Sequence, residues 1–185
     1  RLMQALPAGG AMAAIASTPE NVRAAIQALG ARVDIAALNG PESVVVSGAS
    51  DAVDQVMREF EKQAVRATRL KVSHAFHSYL MDDMLAEFER EAREIRFSAP
   101  RIRMISNVTG KQIGAEIASA DYWVKHVRKP VNYAAGIDTL RQLGLDLFVE
   151  IGPNPILLGM AVASRDAQGA RLPSLRRGMD DWRQL

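Results

Sequence analysis

The residues best suited to chemistry in this sequence are its three histidines, His74, His77 and His126. Histidine is the side chain whose ordinary pKa lies near neutrality, so it is the first candidate for a general acid or base. His77 follows a predicted strand and precedes a predicted helix, at the junction of two different sequence patterns. We select it as the candidate acid/base residue, although its placement is equally typical of a partly exposed histidine near a helix start.

The other two histidines have weaker signals. His74 is predicted to line a pocket or to pack in the interior, and His126 lies among apolar and basic neighbours on a predicted helix. His74 and His77 are three residues apart, but no His-Glu-x-x-His or similar set accompanies them, so no metal site is predicted. The absence of cysteine excludes a thiolate nucleophile, disulfides and cysteine-based zinc sites.

A histidine base needs a nucleophile to act on. The strained Gly-x-Ser-x-Gly turn, which exposes a serine above a sheet, does not occur in the sequence. Ser47-Gly48-Ala49-Ser50 predicts instead a strand end followed by a helix cap at Ser50. The residues alone therefore predict an α/β protein with a notable histidine and no assigned nucleophile.

The first part of the chain must position His77, and it has a regular pattern. Thr18-Pro19 predicts the start of a helix and Gly30 predicts its end. Asn39-Gly40 predicts a hairpin turn, which Pro41 lengthens. Short apolar stretches predict strands at 11–16, 33–38, 43–47 and 67–72. The order of strand, helix, strand, strand, helix, strand predicts a ferredoxin-like βαββαβ subdomain over residues 9–73, inserted into a larger domain.

The rest of the chain is predicted to form the large subdomain. Residues 1–8 are the end of one of its helices, residues 74–170 are its C-terminal part, and residues 171–185 are a trailing linker. The apolar run at 146–151 predicts a strand covered on both faces, as in a parallel sheet. The remaining elements are a long amphipathic helix from 80 to 95, a strand at 101–108, and helices at 120–127, 133–143 and 156–163.

Composition limits the classes of partner. The net charge is only +2 and aromatic residues make up 5% of the chain, which argues against a nucleic-acid platform. No apolar run approaches the ~20 residues of a membrane span. We predict no nucleic-acid partner, no membrane partner and a cytoplasmic location, with which the lack of cysteine is compatible. The start at Arg1 suggests a fragment of a longer protein.

Six stretches occur together in a characteristic order. They are 8–15 (Ala-Gly-Gly-Ala-Met-Ala-Ala-Ile), 38–48 (Leu-Asn-Gly-Pro, then Val44–Gly48), 74–78 (His-Ala-Phe-His-Ser), 122–131 (Tyr-Trp-Val, then Pro-Val), 150–153 (Glu-Ile-Gly-Pro) and 172–177 (Leu-Pro-Ser-Leu-Arg-Arg). Together they resemble the C-terminal portion of an acyltransferase domain of a modular polyketide synthase, across essentially all of residues 1–185. The chain is also similar to the malonyl-CoA:acyl-carrier-protein transacylases of fatty acid synthesis.

The resemblance implies an α/β-hydrolase-like large subdomain, partial in this chain, with an inserted ferredoxin-like small subdomain. It implies a serine–histidine dyad that transfers malonyl from CoA to the phosphopantetheine thiol of an acyl carrier protein. Malonyl-CoA is then the substrate, phosphopantetheine belongs to the partner, and no bound cofactor is expected. The expected partners are the carrier protein, the neighbouring polyketide synthase domains and the N-terminal portion of the same acyltransferase.

The resemblance also implies roles for individual residues. His77 matches the catalytic histidine, and His74 with Phe76 matches the motif associated with malonyl units. Phe76 would fill the volume of an α-methyl group, worth ~1–3 kcal/mol of discrimination, or would be plain core. His126 lies near a main-chain carbonyl that orients the imidazole. Asn39 either lines the site or is only a turn residue.

Two parts of the family's site are missing from this sequence. The serine of its Gly-His-Ser-x-Gly motif and the arginine that binds the malonyl carboxylate are expected before Arg1. An alternative therefore stays open, namely a non-catalytic carrier-protein-binding or scaffold module of a polyketide synthase. The basic residues Lys62, Arg66, Arg69 and Lys71 would then form a docking face, unless they are an ordinary solvated surface.

Overall fold

The computed structural model describes residues 1–162 and 169–179, with the backbone alone at Val162. The helices are α1 (Pro19–Leu29), α2 (Ser50–Lys62), α3 (Asp82–Arg93), α4 (Ala120–Arg128), α5 (Tyr133–Gln142) and α6 (Ile156–Val162). The strands are β1 (Gly10–Ile15), β2 (Val33–Gly40), β3 (Ser43–Ala49), β4 (Ala67–Arg69), β5 (Met104–Ile105), β6 (Gln112–Ile113), β7 (Leu147–Glu150) and β8 (Ala170–Pro173). Short 3-10 turns occupy Met3–Ala5, Tyr79–Met81 and Ala115–Ile117.

The first six regular elements form one β-α-β-β-α-β unit. Its four strands pair antiparallel in the order β2-β3-β1-β4. The predicted sequence of elements is therefore confirmed. The last strand is shorter than predicted, because after Leu70 donates its N–H to the carbonyl of Met12 the chain leaves the sheet.

Capping residues set the helix ends of this unit. The Thr18 hydroxyl accepts the N–H of Asn21 at 3.3 Å, and Gly30 has a φ of +57°, so both predicted ends of α1 are confirmed. The predicted cap at Ser50 is wrong, because Ser50 is the first residue of α2. Its hydroxyl accepts from the Arg69 guanidinium at 2.5 Å, and no backbone N–H of the described residues donates to it.

The turn between β2 and β3 also differs from the prediction. Asn39 and Gly40 belong to β2, and Gly40 pairs with Ser43, so the connecting residues are Pro41 and Glu42. The physical reason is that the fixed φ of proline suits the first central position of a turn. The predicted hairpin between these strands is therefore confirmed, but its turn is Pro41-Glu42 and not Asn39-Gly40.

The two faces of the sheet are buried by different parts of the chain. One face packs under α1 and α2 around Ile15, Val22 and Phe60, which are almost fully buried. The other face carries a smaller apolar group of Met12, Ala36 and Val45, against which Phe76 packs. The face opposite the helices therefore contacts the segment that carries His77.

Beyond this unit the chain is largely helical. The 3-10 turn Tyr79–Met81 leads into α3, which begins at Asp82, later than the predicted 80. The predicted strand at 101–108 pairs only over β5, and the predicted first helix is only the 3-10 turn Met3–Ala5. No helix among the described residues is long and apolar enough to cross a membrane.

Strands β7 and β8 pair parallel to each other. The strand predicted at 146–151 is present as β7, but its predicted burial on both faces is wrong for the described residues. Leu147 is 56% exposed and Val149 is 58% exposed. Residues 171–173 of the predicted trailing segment belong to β8, whereas 180–185, and residue 163 of the predicted last helix, lie outside the described residues.

Backbone contacts join the β-α-β-β-α-β unit to the rest of the chain. Leu38 donates its N–H to Val131 at 2.8 Å, and Val131 donates to Ala36 at 2.9 Å. On β1, a Cβ on Gly10 would lie 2.8 Å from the Cβ of Ala75. Only glycine permits so close an approach, so the segment carrying His77 lies directly on β1.

Candidate functional site

His77 lies in a tight, strained segment between β4 and the turn Tyr79–Met81. Its φ is +57°, in the left-handed region that residues other than glycine rarely adopt. The next residue, Ser78, is fully buried, and its hydroxyl donates to the carbonyl of Ala75 at 2.6 Å and accepts the N–H of Leu80 at 3.2 Å. The segment therefore holds its shape through local hydrogen bonds.

The half-buried imidazole of His77 has one nitrogen, Nδ1, that is fully buried. Burial lowers the pKa of His77, and the nearby His126 ring lowers it further, while the backbone of Lys129 and of His126 opposes the shift. A backbone group raises the pKa of an imidazole by accepting a hydrogen bond from the ring N–H, so the groups that act here are carbonyls at the end of α4. Nδ1 has no hydrogen-bond partner among the described residues.

The side chain of His126 belongs to a group of rings on and around α4. Its centroid is 6.3 Å from that of His77, at an interplanar angle of 72°. The rings of Trp123 and Tyr122 lie 5.6 and 6.1 Å from it. Burial lowers the pKa of His126 as well. The structure therefore brings His77 and His126 together in an environment that favours neutral imidazoles.

His74 and Phe76 lie beside this pair. His74 is buried, and its ring centroid is 6.1 Å from that of Phe76. Phe76 is half-buried and packs both against the sheet at Met12 and against the α3–α4 core at Met81. Phe76 thus joins the two apolar cores, which is the alternative that the sequence left open, while part of its ring remains accessible.

Asn39 lies on β2 rather than on the segments that carry the histidines. It is a half-buried residue near the end of β2, next to Leu38, which is hydrogen-bonded to Val131. Val131 follows α4 closely, so β2 and the end of α4 are neighbours. Among the described residues, however, no hydrogen bond or ring contact joins the Asn39 side chain to His77, His74 or His126.

A serine–histidine hydrogen bond does exist, but not at His77. Ser73 Oγ and His74 Nδ1 are 3.0 Å apart. A nucleophile and a base within such reach are what acyl transfer needs, and sequence reasoning did not single out Ser73. The two residues are adjacent in the chain, so the pair also arises simply from local geometry. Experiment must separate these two explanations.

The remaining surface of the described residues has no comparable cluster of rings and titratable groups. A cavity of about 500 Å³ lies between α1 and α2, away from His77, and is lined by residues such as Ala25 and Phe60. No group of three metal-binding side chains occurs in the described ranges. Of the four basic residues considered for docking, Lys62 pairs with Glu59 at 3.3 Å and Arg69 pairs with Asp54.

The sequence is similar to those of known proteins over almost its whole length. Residues 1–184 match the family described as "Acyl transferase domain". The phenolphthiocerol synthesis polyketide synthase type I Pks15/1 of Mycobacterium bovis is 48% identical over 159 residues, which are 86% of this chain and 7% of that protein. Polyketide synthase GfsA of Streptomyces halstedii is 42% identical over 186 residues, 98% of this chain and 2% of that protein. A protein of Mycobacterium tuberculosis that is also 48% identical over 159 residues carries the name "Putative inactive phenolphthiocerol synthesis polyketide synthase type I Pks1".

Solved structures similar in fold to this chain are also acyltransferases. The acyltransferase domain from the second module of the salinomycin polyketide synthase is 43% identical, with a TM-score of 0.93 over 99% of this chain and 43% of that chain. The malonyl CoA-acyl carrier protein transacylase of Clostridium perfringens is 27% identical, with a TM-score of 0.87 over 95% of this chain and 57% of that chain. The chain thus spans less than two thirds of the proteins it matches. On the combined match of sequence and fold, this chain belongs to the acyltransferase domains of modular polyketide synthases.

Proposed function

We propose that this chain carries the acid/base half of an acyl-transfer site, with His77 as the general acid and base. The observation that carries the proposal is the setting of that ring. His77 is held at a strained φ of +57°, its Nδ1 is buried, and its ring centroid lies 6.3 Å from that of His126. A proton on the buried Nδ1 would leave Nε2 free to accept a proton from a nucleophile.

The proposed reaction has two matching halves. A serine hydroxyl gives its proton to Nε2 of His77 while its oxygen attacks the thioester carbon of malonyl-CoA. The carbon–sulfur bond breaks, and the CoA thiolate takes the proton from His77. In the second half the phosphopantetheine thiol of an acyl carrier protein gives its proton to Nε2, its sulfur attacks the acyl-serine ester, and the serine oxygen recovers the proton.

The lowered pKa of His77 suits this role. A base must be unprotonated when the nucleophile needs it, and a pKa below the ordinary 6.5 keeps the ring neutral at pH 7. The partial burial that lowers this pKa and the strained backbone of His77 are therefore consistent with an acid/base function. They are harder to explain for a histidine that merely lies near the surface.

We further propose substrate-binding roles for the neighbouring residues. The accessible part of Phe76 would occupy the space of an α-methyl group and so favour malonyl over bulkier acyl units. His74 would support Phe76 from behind, since their rings are 6.1 Å apart. The ring of His126 would border the acyl group, and Asn39 would do so from β2. Phe76 also packs in the core, so its effect on selectivity stays within the ~1–3 kcal/mol of a single methyl group.

The serine is proposed to come from polypeptide outside these 185 residues, which contain no nucleophile elbow. In this arrangement the β-α-β-β-α-β unit is a ferredoxin-like subdomain, and the remainder is part of an α/β-hydrolase-like subdomain. The exposed apolar side chains of β7 support the idea, because strands of a parallel sheet are normally covered on both faces. The serine-bearing portion of the same acyltransferase would provide that cover.

A non-catalytic docking module is a weaker explanation. It relied on a free basic face of Lys62, Arg66, Arg69 and Lys71. Two of these four side chains are paired with acidic neighbours of the same unit, Glu59 and Asp54. Exposed pairs of this kind are typical of an ordinary solvated surface.

The test is to locate the acyl group on the protein. The chain joined to the serine-bearing portion is incubated with malonyl-CoA, and intact mass and peptide mapping find the modified residue. We expect a malonyl group on a serine of that added portion, removed when acyl carrier protein is supplied. The matched control Ser73→Ala should retain the adduct. An adduct on Ser73, or binding of carrier protein without any adduct, would refute the proposal.

A further inference from the structure

A single carboxylate of β2 contacts both segments that surround the His77 ring. Asp34 Oδ2 accepts the backbone N–H of Tyr79 at 2.7 Å, and the guanidinium of Arg128 lies 3.2 Å from the same oxygen. Tyr79 comes two residues after His77. Arg128 is the last residue of α4 and directly precedes Lys129, whose backbone lies at the His77 ring.

From this arrangement we propose that Asp34 is a positioning residue, which fixes the His77 imidazole against the end of α4. The inference rests on the proposed function for its catalytic meaning, but the geometric role can be tested without catalysis. Asp34 itself does not touch the reacting atoms. It acts by holding the strained backbone on one side of the ring and the carbonyl-bearing helix end on the other.

The conformation of His77 needs such support. A left-handed φ is unfavourable at a residue other than glycine and persists only when the surroundings enforce it. The hydrogen bonds of Ser78 lie within the segment itself. The Asp34 contact comes from another element, 45 positions away in sequence, and it anchors the backbone immediately after His77.

A second contact from the same strand region reinforces the anchor. The guanidinium of Arg32 lies 3.9 Å from the centroid of the Tyr79 ring, a distance at which a cation is attracted to an aromatic face. Arg32 and Asp34 thus bind the side chain and the main chain of the same residue. The β-α-β-β-α-β unit therefore contacts the His77 segment through two independent interactions.

The ion pair differs from the other pairs of the described chain in its burial. The side chains of Arg128 and Asp34 are 27% and 32% exposed, whereas Arg93 and Asp121 are 62% and 66% exposed. Arg128 also binds Asp82, at the start of α3, at 2.7 Å. A charge-assisted contact with limited access to water is stronger and better defined than a solvated one, so it can set a position.

The experiment follows the three histidine rings of the 185-residue chain by nitrogen-detected NMR during a pH titration. Asp34→Asn keeps the size of the side chain and an oxygen for the Tyr79 N–H but removes the charge that holds Arg128. We expect the His77 titration midpoint to rise toward its ordinary value of 6.5, with loss of a single tautomer, because the ring becomes freer and better solvated. Arg128→Gln should give the same change, and the double variant should add nothing further.

The matched control is Asp54→Asn. Asp54 also pairs with an arginine, Arg69, but within the β-α-β-β-α-β unit and away from His77. It should leave the His77 midpoint and tautomer unchanged. If Asp34→Asn also leaves them unchanged, Asp34 does not position the ring. If both Asp34→Asn and Arg128→Gln unfold the chain, the contact is structural and the proposal is likewise overturned.

These outcomes are separate from those of the proposed function. A serine that is acylated without help from His77 would refute the catalytic role even if Asp34 positions the ring. An unchanged His77 titration in the Asp34→Asn variant would refute the positioning role and leave the catalytic role intact.

Discussion

At the residue scale, His77 and Ala64 share the same unfavourable backbone conformation, but only at His77 does the conformation place a side chain of the candidate site. Both have a φ of +57°, which disfavours any residue with a Cβ atom. Ala64 is exposed and follows α2, where its N–H donates to Glu61 and the next N–H donates to Phe60. Glycine would suit the position of Ala64 better. At His77, in contrast, the side chain packs near the ring of His126.

Gly30 and Ala64 make a matched pair for testing this cost. Both follow a helix of the same unit with a φ of +57°, and a Cβ on Gly30 would meet nothing within 4 Å. We expect Ala64→Gly to raise the free energy of unfolding by about 1 kcal/mol, and Gly30→Ala to lower it by about 1 kcal/mol. Denaturant unfolding with unchanged m-values measures both. Changes of the same sign would show that backbone conformation does not control stability at these helix ends.

At the element scale, the exposure of strand β7 differs from what its sequence predicts. Its apolar run predicts a strand buried on both faces, yet Leu147 and Val149 are more than half exposed. The pairing with β8 satisfies one edge only. A strand with this composition is suited to the interior of a larger parallel sheet, and the proposed serine-bearing portion would supply the rest of that sheet.

The side chain of Val149 tests this interpretation. In the 185-residue chain alone, Val149→Lys should change the free energy of unfolding by no more than about 0.5 kcal/mol, because the side chain is already 58% exposed. Binding to the serine-bearing portion should weaken about tenfold or more, since burying a valine is worth about 1.5–3 kcal/mol. Calorimetric titration compares the two affinities.

The control for this variant is Ile95→Lys. Ile95 has the same exposed fraction, 58%, but lies after the end of α3 and away from β7. It should leave the affinity for the serine-bearing portion unchanged. Equal losses of affinity in both variants would indicate a general effect of added charge and would contradict a specific role for the exposed face of β7.

At the scale of the whole molecule, local patterns predicted the elements better than they predicted the contacts between them. The order of strands and helices up to β4 follows from hydrophobic periodicity and from residues such as Thr18 and Gly30. The predicted cap at Ser50 was wrong, because Ser50 lies inside α2 and its hydroxyl binds the guanidinium of Arg69, a residue distant in sequence. A tertiary contact of this kind leaves no local signal.

The candidate site shows the same division. The type and position of His77 and the motif around it were visible in the sequence, as was its proximity to His126 through family resemblance. The contacts of Asp34 with Tyr79 and Arg128 were not, because each joins residues far apart in the chain. The positive φ of His77 could not be predicted either, since it depends on packing against β1 and on the end of α4.

The most direct test of the central claim is the single-turnover rate at which malonyl-CoA acylates the serine, compared between the wild-type chain and His77→Ala, each joined to the serine-bearing portion. We expect His77→Ala to be about 10²–10⁴-fold slower at pH 7.5. The wild-type rate should fall only as the pH drops below 6.5, because the pKa of His77 is lowered from that value and protonation abolishes the base. An undiminished acylation rate in His77→Ala would contradict the account.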